Sequence, residues 1–269
     1  MPIHVADVHA IDALHDATQL PRQRLKHAMQ CGAVWLTRKE RSGRLRRARR
    51  PLNVGDTVHL YYNPMVLAEQ PVAPTLVHDG GVYSVWDKPS GLRSQGSKWG
   101  DHCTVVRWAE RNLTPERNGF TVHRLDLAAS GLMLVAHSKK AAAELSRQFR
   151  ERLVSKQYRA VVIGDCSHLT EPLIVSEPID DKVAKSEVRF SERARNEAHC
   201  VVDVSIHTGR KHQIRRHLAG IGFPIVGDRL YGGAQKDDPD LRLRAMRLAF
   251  DHPETAERVS YELDPANCV

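Results

Sequence analysis

The chain has 269 residues, which is enough for one sizeable hydrophobic core and a small additional module. It has no run of about 18 apolar residues and no basic start followed by an apolar run, so we expect a cytoplasmic protein without a membrane-spanning helix or a secretory signal. The net charge is +8, and the first 60 residues hold 11 Lys or Arg against 5 Asp or Glu. This concentration indicates a polyanionic partner, although a solubilising surface would carry the same charge.

The cysteines and histidines argue against a metal site. The five cysteines are scattered and form no Cys-x-x-Cys pair, which is typical of reduced, packed thiols rather than of a disulfide framework or structural zinc. His212 and His217 are five positions apart and therefore lie on different faces of a helix. Glycine-rich nucleotide-binding motifs are also absent from the sequence, so we expect neither a metal nor a cofactor.

The first elements along the chain combine a helix, strands and a strongly basic run. Residues 21–31, PRQRLKHAMQC, predict a short helix because Pro21 suits a first helical position. A strand is predicted at 33–36, and a turn followed by a strand at 54–62. Between them, RKERSGRLRRARR at 38–50 predicts a hairpin or loop, in which the crowded like charges repel one another unless phosphates neutralise them.

This order of elements, with the segments CGAVWL and NVGDTV, resembles the S4 RNA-binding module. The resemblance implies an RNA-binding module at residues 1–63. The proline-rich segment that follows predicts a linker, placed at 64–76, before a second domain at 77–269. The basic side chains that the module would offer to RNA are Arg22, Arg24, Lys26, Arg46 and Arg47.

Beyond the linker, strands and helices mix without a repeat, which predicts an α+β fold with a mainly antiparallel sheet flanked by helices. Strands are predicted at 81–89, 156–164 and 199–207 by their alternating and β-branched residues. Amphipathic patterns predict helices at 138–153 and 211–222.

The stretch TVHRLDLAASGLMLVA, residues 121–136, interrupts strand-like sequence with charged and small residues. Asp126 stands at the predicted sheet edge, beside Ala128 to Gly131, which leave room for another backbone or a ligand. An Asp at this place either caps the turn through its side chain or takes part in catalysis. The residues alone leave both possibilities open.

A second cluster, within residues 207–233, carries four basic residues and two histidines within ten positions. A solvated helix face would have the same composition. Arg215, however, directly follows an apolar residue of the buried stripe, which suits a half-buried guanidinium that needs a carboxylate partner, and Asp126 is a candidate. Tyr158 lies on a strand face, where a core ring and a functional ring have the same pattern.

Read together, HRLDLAASGLMLVAHS, KQYRAVV, TGRKHQIRRHL with GFPIVGDRLYGG, and RAMRLAFDHP resemble the RluA-type family of RNA pseudouridine synthases. The match runs through most of residues 80–253 in the family's order, and VWDKPSGLRSQG resembles its Lys-Pro-x-Gly segment. The resemblance implies the pseudouridine synthase fold and a cofactor-free isomerisation of uridine through cleavage of its N1–C1′ bond. It also implies an RNA partner, with ribosomal RNA favoured and transfer RNA second, and we expect a monomer.

Carried over residue by residue, the resemblance makes Asp126, Tyr158 and Arg215 the catalytic residues. Asp126 is the carboxylate and Arg215 its salt-bridge partner. Tyr158 stacks on the target uracil or helps to remove the C5 proton, and stacking is favoured because a phenol with a pKa of about 10 is a poor base. Arg124 would fill the place of the flipped base in the RNA stack. The other residues of these motifs that would contact RNA are His123, Arg210, Lys211, His212 and Gln213.

Two positions depart from the family pattern. Ala129 stands where the family usually has Thr, which keeps the turn but removes a hydroxyl group. Arg244 stands where the family often has His, which bears on the RNA contacts and the choice of target. The leading hypothesis is an RNA pseudouridine synthase. The alternatives are a non-catalytic RNA-binding protein on the same scaffold and a metal-dependent RNA hydrolase, for which the ligands are lacking.

Overall fold

The computed structural model describes residues 1–4, 7–194 and 198–264, which form two compact units. The first unit comprises Met1–Val72 and Gln95–Trp108, and the second comprises Ala73–Ser94 and the described part of Ala109–Val269. Residues 95–108 thus join the first unit although they follow part of the second. The domain bounds predicted from the sequence, 1–63, 64–76 and 77–269, differ from this division into units and stay a prediction.

The first unit contains three helices and two small antiparallel sheets. Its helices are α1 (Ala10–Thr18), α2 (Arg22–Gln30) and α3 (Pro64–Ala68). Its strands are β1 (Val8–His9), β2 (Val34–Arg38), β3 (Arg41–Arg44), β4 (Pro51–Leu52) and β5 (Thr57–Leu60). β2 lies between β3 and β5, and β1 pairs with β4. Leu14, Leu25 and Met29 are buried in the core of this unit.

The predicted helix at 21–31 and the predicted strands at 33–36 and 54–62 are confirmed as α2, β2 and β5. The basic run contains β3, which forms a hairpin with β2. Helix α1 was not predicted, and its N-cap residue His9 makes no side-chain capping bond. Helix α3, for which Asn63 accepts hydrogen bonds from the N–H groups of Met65 and Val66, was not predicted either.

The second unit is built on a ten-stranded sheet. Its strands are β6 (Thr75–Asp79), β7 (Tyr83–Lys88), β8 (Phe120–Thr121), β9 (Ser130–Ala136), β10 (Ser155–Ile163), β11 (Leu173–Val175), β12 (Ser186–Arg193), β13 (His199–Ile206), β14 (Leu243–Asp251) and β15 (Arg258–Glu262). Eight of them follow the order β11-β12-β13-β10-β14-β9-β7-β6, while β15 pairs with β14 and β8 with β9. Within the described strands of this sheet, β9 and β14 form the one parallel pair, so the predicted mainly antiparallel sheet is confirmed.

Three further helices lie in the described ranges: α4 (Val105–Asn112), α5 (Lys139–Arg150) and α6 (Gln213–Gly220). α5 begins where Ser138 Oγ accepts a hydrogen bond from the N–H of Ala141. Leu145 of this helix is buried in one core cluster with Leu132 and Leu134 of β9. The helix predicted at 138–153 ends earlier than expected, because Arg152 has a left-handed backbone with φ of 63°.

The close approach that the small residues of 128–131 predict is made by a neighbouring backbone. Gly131 has φ of +106°, and a Cβ atom placed on it would lie 2.5 Å from the backbone nitrogen of Ala245. Only glycine therefore allows β9 to start beside β14. This junction fixes the end of the turn that carries Asp126.

Cys31, Cys103, Cys166 and Cys200 are buried and form no disulfide bond within the described residues, as expected for packed thiols, and Cys268 lies outside those residues. None of the helices in the described ranges combines the length and the apolar character needed to cross a membrane.

Candidate active site

Asp126 lies in the turn that leads into β9. The turn is closed by its backbone, because the N–H of Ala129 donates to the carbonyl oxygen of Asp126 at 3.2 Å. Among the described residues, the carboxylate makes no hydrogen bond to the backbone of this turn, and its side chain is 28% exposed. The side-chain cap is therefore not the role of Asp126, whose carboxylate faces other side chains.

Two basic side chains face the two oxygens of Asp126. Arg215 Nη1 lies 3.5 Å from Oδ2, and His212 Nε2 lies 3.9 Å from Oδ1. Arg215 lies in the first turn of α6, and His212 is the residue directly before that helix. The structure thus brings together the pair that the sequence suggested, and adds His212 on the opposite oxygen.

The tightest partner of Arg215 is Asp228, whose role was not predicted from the sequence. Arg215 donates from Nε to Asp228 Oδ2 at 2.8 Å and from Nη2 to Oδ1 at 2.7 Å. Asp228 Oδ1 also accepts the N–H groups of Leu230 and Tyr231. Burial opposes ionisation of Asp228, but these donors outweigh it and hold its pKa below the usual value. The available signal was the Asp of the segment GDRLYGG.

Tyr231 also belongs to the site and was also missed. Its hydroxyl lies 3.0 Å from His212 Nδ1, and its ring lies 5.2 Å from Arg215 Cζ as a cation–π contact. Burial lowers the pKa of His212 although Asp126 opposes the shift, so the imidazole is neutral at neutral pH. Because Nδ1 faces the Tyr231 hydroxyl, Nε2 is the ring nitrogen that faces Asp126.

Tyr158 stands on β10, opposite Ala245 of β14, and is 9% exposed. Burial raises the pKa of its phenol, and the negative charge of Asp126 raises it further. The hydroxyl therefore stays protonated and is a poor base. Its ring is the part of this side chain that is suited to a ligand.

Lys88 anchors the turn of Asp126 from β7. The side chain is fully buried, and Nζ donates to the carbonyl oxygens of Leu92 at 2.8 Å and Leu127 at 3.3 Å. Burial lowers the pKa of Lys88 to about 8 against the opposing charge of Asp126. The Lys-Pro segment was noticed in the sequence, but its position next to Asp126 depends on strand pairing.

The predicted RNA contacts in the second unit fall into two groups. Arg124 and Lys211 are exposed, and Arg210 donates from Nε to the carbonyl oxygen of Val183. His123 and Gln213 make their bonds inside the fold. The N–H of Leu134 donates to His123 Nε2 at 2.9 Å.

Gln213 is 3% exposed. Its Oε1 accepts from Thr208 Oγ1 and the N–H of Arg210, while Nε2 donates to the carbonyl oxygen of Lys185 and to Ser186 Oγ. These bonds shape the turn before α6. An RNA contact of Gln213, like one of His123, stays a prediction.

In the first unit, Arg22, Arg24 and Lys26 are exposed on α2, and Arg47 is exposed in the basic run. Arg22 pairs with Asp12 at 3.0 Å, and Arg46 pairs with Asp101 and donates to the carbonyl oxygen of Gln30. The charges of Arg22 and Arg46 are therefore partly neutralised within the unit.

The two departures from the family pattern lie at the junction of β9 and β14. Ala129 is buried. Arg244 pairs with Asp87 at 2.6 Å and donates to Ser130 Oγ at 3.3 Å. Arg244 thus braces the sheet beside the turn of Asp126. Across the described ranges, no three His, Cys, Asp or Glu side chains gather as potential metal ligands.

Comparisons with known proteins place this geometry in a family. The model of the RNA pseudouridylate synthase family matches residues 82–220. The dual-specificity RNA pseudouridine synthase RluA of Escherichia coli is 36% identical over 216 residues, which cover 75% of this chain and 95% of that protein. Ribosomal large subunit pseudouridine synthase D of Xanthomonas campestris is 31% identical over 262 residues, covering 89% of this chain and 77% of that protein.

Among solved structures, human RNA pseudouridylate synthase domain containing 1 has a similar fold, with a TM-score of 0.58 and 22% identity over 73% of this chain and 86% of that one. The predicted pseudouridine synthase fold is therefore confirmed. Because the family match covers about half of the chain and the relatives cover most of it, the chain belongs to the RluA-type family of RNA pseudouridine synthases, the enzymes that isomerise uridine in RNA.

Proposed function

We propose that this chain converts specific uridines of structured RNA to pseudouridine with Asp126 as its catalytic carboxylate. The observation that carries this proposal is the setting of Asp126, a partly exposed carboxylate with Arg215 at 3.5 Å and His212 at 3.9 Å. Large-subunit ribosomal RNA is the favoured substrate, supported by relatives named for that subunit, and transfer RNA is the second candidate.

The reaction breaks the N1–C1′ bond, turns the uracil and joins C5 to C1′, so that N1 gains a proton and C5 loses one. No electrons are exchanged. Asp126 serves as nucleophile at C1′, as nucleophile at C6 or as acceptor of a ribose proton, and all three roles need a negative carboxylate. The guanidinium of Arg215 stabilises that charge.

The uridine must leave its stack to reach Asp126, which costs a few kcal/mol. Arg124, which is exposed two positions before Asp126, would occupy the vacated place with its planar guanidinium. The flipped uracil would then stack on the ring of Tyr158, whose hydroxyl stays protonated.

The S4-like module is part of this proposal. The exposed basic side chains of α2 and of the basic run, Arg22, Arg24, Lys26 and Arg47, would bind phosphates near the target. We further propose that the enzyme is a cytoplasmic monomer, as the sequence predicts.

The first experiment maps pseudouridines in ribosomal and transfer RNA from cells with and without the gene. We expect a small number of sites to vanish with the gene and to return when unmodified RNA is treated with the purified protein. An unchanged map would refute the proposal and favour the non-catalytic RNA-binding protein.

The second experiment replaces Asp126 by Asn. Asp126→Asn should bind the same RNA and form no pseudouridine, because the amide has the shape of the carboxylate but no charge. A matched control is Asp165→Asn, since Asp165 is a 55% exposed carboxylate paired with Arg193 in the same unit. Full turnover by Asp126→Asn would show that another group is catalytic.

A further inference from the structure

The segment GDRLYGG, residues 227–233, takes no part in the chemistry proposed above, yet it supplies the closest partner of Arg215. The side chains of Asp228 and Arg215 are 1% and 6% exposed, so both charges are removed from water. Such a pair is costly unless its hydrogen bonds are all made. Here the carboxylate accepts two bonds from the guanidinium and two from backbone N–H groups.

These contacts leave the guanidinium little freedom. Nε and Nη2 donate to Asp228 in a bidentate pair, and the ring of Tyr231 lies against Cζ at 5.2 Å. Nη1 remains, and it lies 3.5 Å from Asp126 Oδ2. Because the guanidinium is planar and rigid, holding two of its nitrogens also fixes the direction of the third.

The charges of the three residues also support a role for Asp228. Asp126, Asp228 and Arg215 together carry one net negative charge when both carboxylates are ionised. Without Asp228, the buried guanidinium would have Asp126 as its one carboxylate partner among the described residues and would draw it into a bidentate pair. Both oxygens of Asp126 would then be occupied before a nucleotide arrives.

We propose that Asp228 is a positioning residue that holds Arg215 with a single nitrogen toward Asp126 and leaves Asp126 free to act on the nucleotide. This inference rests on the proposed function of Asp126. It assigns to the segment 227–233 a task in catalysis that is exerted through Arg215 rather than by touching the substrate.

The test uses the full chain and large-subunit ribosomal RNA transcribed in vitro, under single-turnover conditions. Asp228→Asn keeps the size of the side chain and an oxygen for the backbone N–H groups, but removes the charge. We expect the rate constant at saturating RNA to fall about 10- to 100-fold, as for a misplaced catalytic group. The Kd for RNA should change by less than about twofold, and Asp228→Glu should restore part of the rate.

A matched control is available in the first unit. Asp56 is 3% exposed and accepts from Arg38 Nε at 2.8 Å and Nη2 at 2.6 Å, and it also accepts the N–H of Asn53. Asp56→Asn should lower the free energy of unfolding as Asp228→Asn does, but leave the rate constant unchanged. A normal rate constant for Asp228→Asn, or an equal loss for Asp56→Asn, would overturn the inference.

A second readout needs no RNA. If Asp126 becomes the partner of Arg215 once Asp228 is neutral, the effects of Asp126→Asn and Asp228→Asn on urea unfolding should not be additive. Additive effects would overturn the inference. Wild-type protein that modifies no RNA would refute the proposed function alone. The unfolding free energies of the two single variants and the double variant would still show whether Asp126 and Asp228 compete for Arg215.

Discussion

His123 precedes Arg124 in the motif, but its ring is part of the fold. Nε2 accepts the N–H of Leu134 at 2.9 Å, and the imidazole stacks on Phe149 with the ring centres 4.5 Å apart. Burial, assisted by the nearby charge of Lys156, lowers the pKa of His123 to about 3. The residue is therefore neutral in the folded protein over the whole physiological range.

This neutral histidine should make folding sensitive to acid. The pKa of His123 is about 3 in the folded chain and about 6.5 in the unfolded one, so the unfolded chain binds the proton first. The contribution of His123 to the free energy of unfolding is fully present above a pH of about 6.5. Below that pH it declines by up to about 1.4 kcal/mol per pH unit. Urea unfolding should show that the free energy of unfolding falls less between pH 7 and pH 5 in His123→Gln than in the wild type.

The control for that measurement is His207→Gln, which changes an exposed histidine and should leave the wild-type pH dependence intact. An equal loss of stability in the wild type and in His123→Gln would show that His123 does not titrate in this way.

At the scale of single residues, the motifs were enough to predict that Asp126 and Arg215 belong together. They were not enough for Asp228 and Tyr231, because an Asp and a Tyr in a glycine-rich turn have many uses. Their roles follow from contacts with Arg215 and His212 that only the folded chain creates.

At the scale of elements, the start of β9 is a tightly constrained point near the site. Gly131 combines φ of +106° with a neighbouring backbone where a side chain would stand. Gly131→Ala should therefore lower the free energy of unfolding by at least about 2 kcal/mol, since strain and overpacking each cost about 1–3 kcal/mol. Denaturant unfolding measures this change directly.

Gly209→Ala provides the comparison, because a Cβ atom added to Gly209 would meet no other atom within 4 Å, and the residue has an ordinary φ. It should change the stability by less than about 0.5 kcal/mol. Similar effects of the two substitutions would mean that the β9–β14 contact is looser than the structure shows.

The elements were predicted better than their arrangement. α2, α5 and α6 have apolar stripes or capping residues that are visible in the sequence, whereas α1 lacks a capping side chain. The parallel contact of β9 with β14 joins residues more than a hundred positions apart, and no local pattern specifies such a pairing. This contact, however, fixes the end of the turn that carries Asp126.

At the scale of the whole molecule, the basic charge of the first 60 residues should govern the salt dependence of RNA binding. Replacing the exposed Arg22, Arg24 and Lys26 together by Gln should reduce the slope of log K against log salt by about 2, at about 0.7–0.9 per phosphate contact. Binding of in vitro-transcribed large-subunit ribosomal RNA at several salt concentrations measures the slope.

A matched triple variant on α5, with Lys139, Lys140 and Arg150 replaced by Gln, removes the same charge from another exposed helix. It should leave the slope nearly unchanged. An equal reduction in both variants would mean that only the total charge matters, and would remove the support for an RNA-binding module in the first unit.

The turn of Asp126 is pinned at two successive carbonyl groups, that of Leu127 by Lys88 and that of Ala128 by Ser90. A turn held in this way does not move outward to reach a base. The conformational change that brings the uridine to Asp126 therefore takes place in the RNA. Uridines in hairpin loops and bulges, which have no pairing to give up, should then be modified before those inside helices. The rate of modification at each uridine then depends on how easily the RNA releases that base from its stack.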